Sequence, residues 1–428
     1  MKKLMFYSHD TFGLGNIRRT LSICSSLITS IPDLSILIVS GSPMIQSFRI
    51  PKGIDYVKLP CLTRNDRDGY TAKFLDEDSH SLVKLRADII LCTTANFKPD
   101  LMIVDKKPYG VQDELKSTMA YIQEHLPHTK LALLLRDILD SPDTTQTVWK
   151  KHGFFEAIET HYDDIFVLGS PEVFDLPKEY EFPATVRSKT RFCGYLQREP
   201  GLKNRMQMRM ELELNDGEPL VLVTAGGGED GTQLFENYLT GYQQLPKHQQ
   251  MKSLMILGPE MPASQQTTIC QQANHFPLIR TMAFTDDFMS YLDAADLMIS
   301  MGGYGTVCEL LSLNKQAVVV PRVRPVEEQW IRARRMARLG LFTMIHPDRL
   351  NPLGLMRTIQ SELDPTKETA RGSSHLNINA LPFLTNAIQN LFRKGCRQRV
   401  HHCNGTSYTF SALVALAAAQ PALYGESL

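Results

Sequence analysis

Three glycines and one carboxylate stand close together in the stretch DLMISMGGYGTVCELLSLNKQAVVVPR, residues 296–322. Gly302, Gly303 and Gly305 follow an apolar run typical of a buried strand, and Glu309 falls within the helix-length segment that comes next. Glycines at the end of a strand let the backbone approach a ligand closely, and the start of a helix offers N–H groups to an anion. The spacing therefore predicts a site for a phosphate-containing ligand.

Glu309 also has a purely structural interpretation. Thr306 stands three residues before it, and Ser/Thr-x-x-Glu is a capping box in which the carboxylate accepts a hydrogen bond from an amide at the helix start. The residues alone leave capping and ligand binding equally open.

A second polar group, Glu327, Glu328 and Gln329, opens a helix-length segment after the apolar run QAVVVP and a proline turn. Acidic residues in a first turn stabilise a helix through its dipole, whereas a carboxylate beside an amide can also hold vicinal sugar hydroxyls. Both interpretations stay open. The arginines that follow are predicted to form a solvated or interdomain face: Arg332, Arg334, Arg335 and Arg338.

Two more glycine-rich turns follow predicted strands, HDTFGLGNIRR in the first half and TAGGGEDGT in the second. GGGEDG fits the six-residue dinucleotide pattern, so a nicotinamide or flavin enzyme has to be considered. Against it, Glu229 and Asp230 would repel a pyrophosphate, and no acidic residue ends the next strand at the expected spacing. The match to the dinucleotide pattern is therefore weak.

Strand-length apolar runs alternate with helix-length segments along most of the chain, and these elements must position the glycine turns. Continuous apolar runs separated by amphipathic helices favour parallel sheets covered on both faces. We therefore predict an α/β protein with two Rossmann-like doubly wound domains facing a cleft. The runs are KKLMFYS, SILIVSG, DLMIVD, KLALLL and DDIFVLG, then PLVLVTA, SLMILG, PLIRTMAF, DLMISM and QAVVVP.

The domain boundaries follow from breaks in this rhythm. Residues 1–196 form the predicted N-terminal domain, and the polar segment 197–218 forms a linker with a helix leading out of it. Residues 219–394 form the second domain, which INALPFLTNAIQNLF closes as a helix. Residues 395–428 are a tail without a predicted role.

Composition limits the partners and the location. The 428 residues include 46 Lys plus Arg and 46 Asp plus Glu, so no global basic field favours nucleic acid or an anionic membrane. The eight cysteines form no Cys-x-x-Cys pair, as expected for reduced core thiols rather than zinc or redox chemistry. The start reads as a strand rather than a signal peptide, and no apolar run is long enough to span a membrane. We therefore expect a cytoplasmic protein.

The order of features from residue 283 to 341, AFTDDF through ARRMARLG, resembles the donor-binding half of glycosyltransferase family 28. That family includes the UDP-N-acetylglucosamine transferase that completes lipid II. The resemblance implies a bacterial predicted glycosyltransferase with two Rossmann-like domains, the GT-B architecture. It covers about half of the second domain closely and the rest of the chain more weakly.

The resemblance implies a role for each of twelve residues in binding a nucleoside diphosphate sugar. The glycine turn would cradle the diphosphate, Glu309 would accept hydrogen bonds from the ribose, and a preceding loop would lie against the base. The implied donor site consists of Gly226, Gly227 and Gly228 facing the diphosphate, Phe284 and Thr285 at the base, Gly302, Gly303, Gly305 and Thr306 at the diphosphate, Glu309 at the ribose, and Glu328 and Gln329 at the sugar.

The N-terminal glycine loop is implied to bind the acceptor, but it departs from the family pattern. Relatives usually have His after the second glycine, and this chain has Asn16, which cannot act as a base at neutral pH. His9 and Asp10 are the nearest substitutes, although a histidine hydrogen-bonded at a strand end is the competing interpretation. The implied acceptor residues are Gly13, Gly15, Arg18 and Arg19, and further cleft candidates are Lys106, Lys107, Arg136 and Asp137.

The resemblance thus implies an inverting, metal-independent hexosyltransferase without a cofactor, which uses a UDP-sugar and a carbohydrate or lipid-linked acceptor. Peripheral membrane contact is possible for such a protein, although the neutral charge balance does not support it. Two alternatives stay open: a nucleotide-sugar 2-epimerase of the same fold, and a catalytically impaired partner subunit that binds a nucleotide sugar.

Overall fold

The structure is a computed structural model that describes residues 1–9, 14–64, 69–364, 366 and 376–393. Asp10, Gly13 and the predicted tail 395–428 lie outside the described residues. Two parallel sheets organise the described chain, one in each half, with helices on both faces.

The first domain contains a seven-stranded parallel sheet and a separate antiparallel hairpin. Its strands are β1 (Lys2–Ser8), β2 (Leu34–Ser40), β3 (Ile54–Lys58), β4 (Leu62–Arg64), β5 (Tyr70–Ala72), β6 (Leu101–Asp105), β7 (Lys130–Arg136), β8 (Asp164–Leu168) and β9 (Thr190–Phe192). Its helices are α1 (Leu14–Ser30), α2 (Ser79–Phe97), α3 (Lys116–His125), α4 (Pro142–Lys151), α5 (Phe154–His161), α6 (Leu176–Glu179) and α7 (Ala184–Lys189).

The second domain contains a six-stranded parallel sheet. Its strands are β10 (Leu220–Thr224), β11 (Lys252–Ile256), β12 (Ile279–Met282), β13 (Leu297–Ser300), β14 (Ala317–Val319) and β15 (Thr343–Met344). The helices of this half are α8 (Arg205–Glu211), α9 (Thr232–Gln243), α10 (Ala263–Ala273), α11 (Phe288–Ala294), α12 (Tyr304–Ser312), α13 (Glu328–Arg338), α14 (Pro352–Leu363) and α15 (Ala380–Arg393).

Strand order explains where a ligand can bind. The first sheet runs β3-β2-β1-β6-β7-β8-β9 and the second β12-β11-β10-β13-β14-β15, so the order reverses between β1 and β6 and again between β10 and β13. Every residue of β6, β8 and β10 is buried, as apolar strands covered on both faces require. The prediction of two doubly wound domains is confirmed, and the glycine turns after β10 and β13 flank a switch point, where such sheets bind ligands.

The last described helix corrects the predicted domain division. Although α15 was placed in the second domain, it packs against α1 of the first. Residues 377–379 lie beside residues 195–197, because Tyr195 and Gln197 donate backbone hydrogen bonds to Asn377 and Ile378. The linker helix α8 instead packs against α11 of the second domain.

Helix α13 joins the two domains. Its Ile331 is buried in a cluster whose other fully buried members, such as Leu135 and Phe174, all belong to the first domain. Arg335 donates to the carbonyl oxygen of Val173 and pairs with Glu179. The helix that begins at Glu328 is therefore held by both halves of the molecule, which confirms an interdomain face for part of its arginine run.

Candidate active site

The two domains enclose a cleft of about 1570 Å³, larger than the 300–1,000 Å³ typical of small-molecule sites. It is lined by residues that follow strands of both sheets and by the first turns of α12 and α13. A donor and part of an acceptor would fit together in such a volume. Most of the predicted site residues that the structure describes line it: Gly15, Asn16, Arg18, Arg19, Gly226, Gly227, Gly228, Phe284, Thr285, Gly303, Gly305, Thr306, Glu309, Glu328 and Gln329.

Helix α12 begins at the cleft with a glycine as its N-cap. Gly303 caps Tyr304–Ser312 without a side-chain hydrogen bond, which leaves the first turn able to bind an anion. Thr306 lies inside the helix rather than at its cap, so the capping box for Glu309 is wrong. A Cβ on Gly303 would have Thr306 Oγ1, 3.7 Å away, as its nearest neighbour, so the backbone here is open to a ligand.

Gly302 is oriented differently from the other glycines of this turn. It is buried, and its carbonyl oxygen accepts a hydrogen bond of 3.0 Å from Arg332 Nη1. It is not among the residues that line the cleft. Gly302 therefore shapes the turn from behind, and the predicted direct contact with a diphosphate falls to Gly303 and Gly305.

The turn after β10 faces α12 from the neighbouring strand. Gly226 and Gly228 have φ angles of +69° and +99°, a region that glycine adopts readily and other residues do not. A Cβ on Gly228 would lie 2.5 Å from the carbonyl oxygen of Leu257. Glycine is therefore required here to close the turn as well as to expose its backbone.

Glu309 lies one turn further into α12 and is half-buried in the cleft wall. Burial raises the pKa of its carboxyl group, against the opposing effects of Arg198 and Arg18. Arg198, in the linker, was not predicted, and its Nη2 is 3.5 Å from the Cβ position of Gly305. A lone arginine in a polar linker carries no sequence signal, so only the fold reveals that it joins the glycine turn.

Phe284 presents an exposed aromatic ring after β12. Its exposed fraction is 45%, and the Arg18 guanidinium carbon lies 5.6 Å from the ring centroid, within cation–π range. Thr285 uses its hydroxyl to accept a hydrogen bond from the Asp287 amide. Arg18, implied as an acceptor residue, thus reaches the predicted base-binding surface of the other domain, and burial lowers its pKa.

Glu328 and Gln329 open α13 at the cleft and are both buried. Glu328 lies 3.0 Å from Arg136 Nη1 of the first domain. Burial raises the pKa of Glu328, but Arg136 and other nearby cations outweigh it, so that its pKa is lowered overall. Gln329 Oε1 accepts a hydrogen bond from the Arg322 amide.

The first-domain glycine loop differs from its predicted role. Asn16 Nδ2 donates to the backbone oxygen of His9 at 2.9 Å. His9 is fully buried and is not among the residues lining the cleft, so its ring does not reach a bound acceptor in this conformation. Arg19, an implied acceptor residue, is also buried and donates to both oxygens of Asp105 at 2.8 Å, so its charge is already paired within the first domain.

The described parts of the chain contain neither a metal-binding cluster nor a membrane-spanning helix. In residues 1–9, 14–64, 69–364, 366 and 376–393, no group of three or more His, Cys, Asp or Glu could hold a metal ion. Within the same ranges, the helices are all too short or too polar to cross a membrane.

Comparison with known proteins agrees with this architecture. Residues 220–389 match the glycosyltransferase family 28 C-terminal domain. An uncharacterized glycosyltransferase of Methanopyrus kandleri is 22% identical over 54% of this chain and 62% of its own length. The UDP-N-acetylglucosamine–N-acetylmuramyl-(pentapeptide) pyrophosphoryl-undecaprenol N-acetylglucosamine transferase of Agrobacterium fabrum is 26% identical over 37% of this chain and 42% of its own length. The chain thus matches less than two thirds of either relative.

Solved structures resemble almost the whole chain. MurG of Acinetobacter baumannii aligns with a TM-score of 0.59 and 15% identity over 91% of this chain and 100% of its own. The UDP-GlcNAc 2-epimerase of Neisseria meningitidis aligns with a TM-score of 0.58 and 13% identity over 92% and 100%. The chain therefore has the GT-B fold, its residues 220–389 are similar to the C-terminal domain of glycosyltransferase family 28, and the resemblance seen in the sequence is confirmed.

Proposed function

We propose that this chain is an inverting glycosyltransferase that moves a hexosyl group from a nucleoside diphosphate sugar, a UDP-sugar, to an acceptor hydroxyl without a metal ion. One observation carries the proposal. The open helix start at Gly303, the carboxylate of Glu309 and the exposed ring of Phe284 all line one interdomain cleft. These groups match the needs of a diphosphate, a ribose and a base.

The diphosphate would lie between the two glycine turns. The N–H groups and dipole of α12 face the cleft, and Arg198 adds a charge beside Gly305. Positive charge fixed in a closed site stabilises the negative charge that develops on a departing nucleoside diphosphate. Such a field performs the task that a divalent cation performs in other transferases, so we propose that transfer needs no metal ion.

The nucleoside and the sugar would lie on either side of the diphosphate. Glu309 would accept hydrogen bonds from the ribose hydroxyls, and the base would stack on Phe284. Glu328 and Gln329 would hold hydroxyls of the transferred sugar. The Agrobacterium fabrum relative is named for UDP-N-acetylglucosamine, which supports uracil as the first base to test.

The acceptor would approach from the first domain. Lys106, Lys107 and Arg136 line this side of the cleft, and the Agrobacterium fabrum relative is named for a pyrophosphoryl-undecaprenol acceptor. A carbohydrate or lipid-linked acceptor, with peripheral membrane contact in the second case, is in line with these cations. The proposed location is the cytoplasm, where the six free cysteines of the described residues would stay reduced.

Inversion requires a base at the acceptor hydroxyl. Asp140 is the only carboxylate among the described first-domain residues that line the cleft. Its Oδ1 accepts hydrogen bonds from the Ser141 and Glu327 amides at 2.8 and 3.0 Å. We assign the role of base to Asp140, and Asp140→Asn should lower kcat far more than it changes donor affinity.

The proposal is tested first by ligand binding. UDP, GDP, dTDP, ADP and NAD are each added to wild type, Glu309→Gln and the control Glu236→Gln, which removes an exposed charge of α9. A ligand at one hundred times its Kd stabilises the folded state by about 2.7 kcal/mol. A rise in Tm with UDP that is lost only in Glu309→Gln is expected. A rise with NAD alone would refute the donor site.

A second candidate is a nucleotide-sugar-binding protein that does not transfer. It is favoured by Asn16, which stands where the family resemblance implies a histidine and whose side-chain amide donates a hydrogen bond to the backbone oxygen of His9. Turnover of a UDP-sugar by Asn16→His but not by wild type would select it. Release of an epimerised UDP-sugar without any acceptor would select the epimerase alternative instead.

A further inference from the structure

The carboxylate of Glu328 is surrounded by cations from three separate segments. Arg136 Nη1, at the end of β7, lies 3.0 Å from Oε2 and 3.3 Å from Oε1. Arg332 of the same helix lies 3.7 Å from Oε2, and Arg322, after β14, lies 3.9 Å from Oε1. Arg136 therefore makes the shortest of these contacts, and it comes from the opposite domain.

The other two arginines already have closer partners. Arg332 is bound to Asp137 at 2.7 Å, and Arg322 is bound to Asp230 at 2.6 Å. Arg136 has no such second carboxylate among its described contacts, and its side chain is only 16% exposed. The charge of Glu328 is thus balanced mainly by Arg136.

Glu328 remains part of the cleft wall while it is held in this way. The first-domain segment that carries Arg136 also supplies Asp140, which accepts a hydrogen bond from the Glu327 amide. The start of α13 is therefore fixed by two contacts from one segment of the other domain. Such contacts lock the rotamer of a binding residue, which a precise site requires.

We propose that Arg136 is a positioning residue of the donor-sugar site, supplied by the first domain, which fixes the orientation and the ionised state of Glu328. The inference rests on the proposed function. It means that the sugar half of the donor is recognised through vicinal hydroxyls donating to an ionised carboxylate, and only when the two domains are together. Nucleoside and diphosphate binding, which use α12, do not depend on Arg136.

Loss of Arg136 should also change how binding of the donor sugar depends on pH. The charged groups facing Glu328 are Arg136, Arg332, Arg322 and Lys106. Without Arg136, burial of Glu328 acts against fewer cations, so its pKa rises. A raised pKa means that the carboxylate becomes protonated as the pH falls toward the acid range, and its acceptor capacity for sugar hydroxyls is then reduced. Wild type keeps the charge over the same range.

The test compares affinities for a nucleoside diphosphate and for its sugar conjugate by titration calorimetry. The probes are UDP with UDP-glucose, GDP with GDP-mannose, dTDP with dTDP-glucose, and ADP with ADP-glucose, and the pair that wild type binds most tightly is used. Arg136→Gln should weaken the sugar conjugate about tenfold relative to the free diphosphate, the size of one charge-assisted hydrogen bond. Arg136→Lys should recover part of this loss, and the exposed Arg338→Gln should change neither affinity.

A double-mutant cycle separates positioning from general damage. In a Glu328→Gln background, Arg136→Gln should cause no further loss, because both changes remove the same interaction. The ratio of sugar-conjugate affinity to diphosphate affinity in Arg136→Gln should also fall relative to the wild-type ratio as the pH is lowered, since titration of the free diphosphate affects both proteins alike.

Several results would overturn the inference. Two concern Arg136→Gln alone: an unchanged ratio of sugar-conjugate to diphosphate affinity, and an equal loss of affinity for both ligands. The others are a further full loss of sugar-conjugate affinity when Arg136→Gln is added to Glu328→Gln, and failure of both Arg136 variants to fold. Binding of a diphosphate by wild type with an unchanged ratio in Arg136→Gln would remove the inference alone. Absence of binding for all four pairs by wild type would remove the proposed function and the inference with it.

Discussion

Arg332 and Asp137 form a two-point ion pair across the domain boundary, with Nε and Nη2 of the arginine each 2.7 Å from one carboxylate oxygen. Both side chains have an exposed fraction of 0%. Tyr195 donates to the same carboxylate, and Arg332 Nη1 donates to the carbonyl oxygen of Gly302. The interdomain contact is therefore bonded directly to the glycine turn of the candidate donor site.

Removing one partner of this pair should destabilise the protein strongly. Arg332→Ala leaves a buried carboxylate without its cation, and breaking a buried pair in this way costs about 3–5 kcal/mol. Urea unfolding measures the change, with Arg338→Ala, exposed on the same helix, as the control. A loss under about 1 kcal/mol for Arg332→Ala would mean that the pair is open to water in solution.

Nucleotide affinity should depend on pH through Glu309. Its pKa is raised by burial, so on acidification it gains a proton at a higher pH than an ordinary glutamate, whose pKa is about 4.3. Affinity for UDP should then fall as the pH is lowered from 7 toward 5, because a carboxylate accepts ribose hydrogen bonds better than a carboxylic acid. Glu309→Gln should show only the remaining dependence due to the phosphate of UDP itself, which titrates near pH 6. Identical pH curves for both proteins would contradict a charged Glu309 in the site.

Two glycine substitutions should have opposite effects on stability and on UDP binding. Gly228→Ala forces a Cβ into the Leu257 carbonyl at a φ of +99°, so it should lower the free energy of unfolding by about 1–3 kcal/mol. Gly303→Ala meets no atom closer than 3.7 Å and should cost less than about 1 kcal/mol. The methyl group of the alanine at position 303 would still obstruct the start of α12 and weaken UDP binding. Thermal unfolding with and without UDP separates the two effects, and unchanged UDP binding by Gly303→Ala would argue against a diphosphate at this turn.

Phe284→Ala should weaken binding of the base but not binding of the phosphates. The ring is exposed, so stability should change little, but a base stacked on an aromatic ring contributes about 1–3 kcal/mol. UDP affinity should therefore fall roughly 5- to 150-fold, while inorganic pyrophosphate should bind as before. Equal losses for both ligands would indicate a distorted site rather than a missing stacking surface.

Local patterns in the sequence were sufficient to predict the sheets and the turns between them. Buried strands such as Leu220–Thr224 are continuous apolar runs, and they place the glycine turns without knowledge of distant residues. Short edge strands were missed: Ile54–Lys58 alternates buried and exposed residues only partly, and Thr343–Met344 has two residues. Such strands are defined by the neighbour they pair with rather than by their own composition.

Pairings between distant residues could not be predicted from the sequence. The local sequence around Arg136 does not indicate that it contacts Glu328, 192 positions away. The sequence around Arg18 likewise does not indicate its contact with Phe284. His9 and Arg19 were predicted as site residues from their positions after β1, but both are buried, and their burial depends on how α1 packs against the sheet. Candidate residues were thus predicted by type and turn, while their partners required the tertiary structure.

The return of α15 to the first domain has a consequence for exchanging domains between relatives. Residues such as Leu384, Ile388 and Leu391 are buried with Leu21 and Leu27 of α1 in one core cluster. A chimera that joins residues 1–196 to a foreign second domain would keep the α1 surface but replace the helix that covers it. A transplantable unit must therefore combine two pieces of chain, residues 1–196 and the segment from 376 to 393, with the exchanged domain inserted between them.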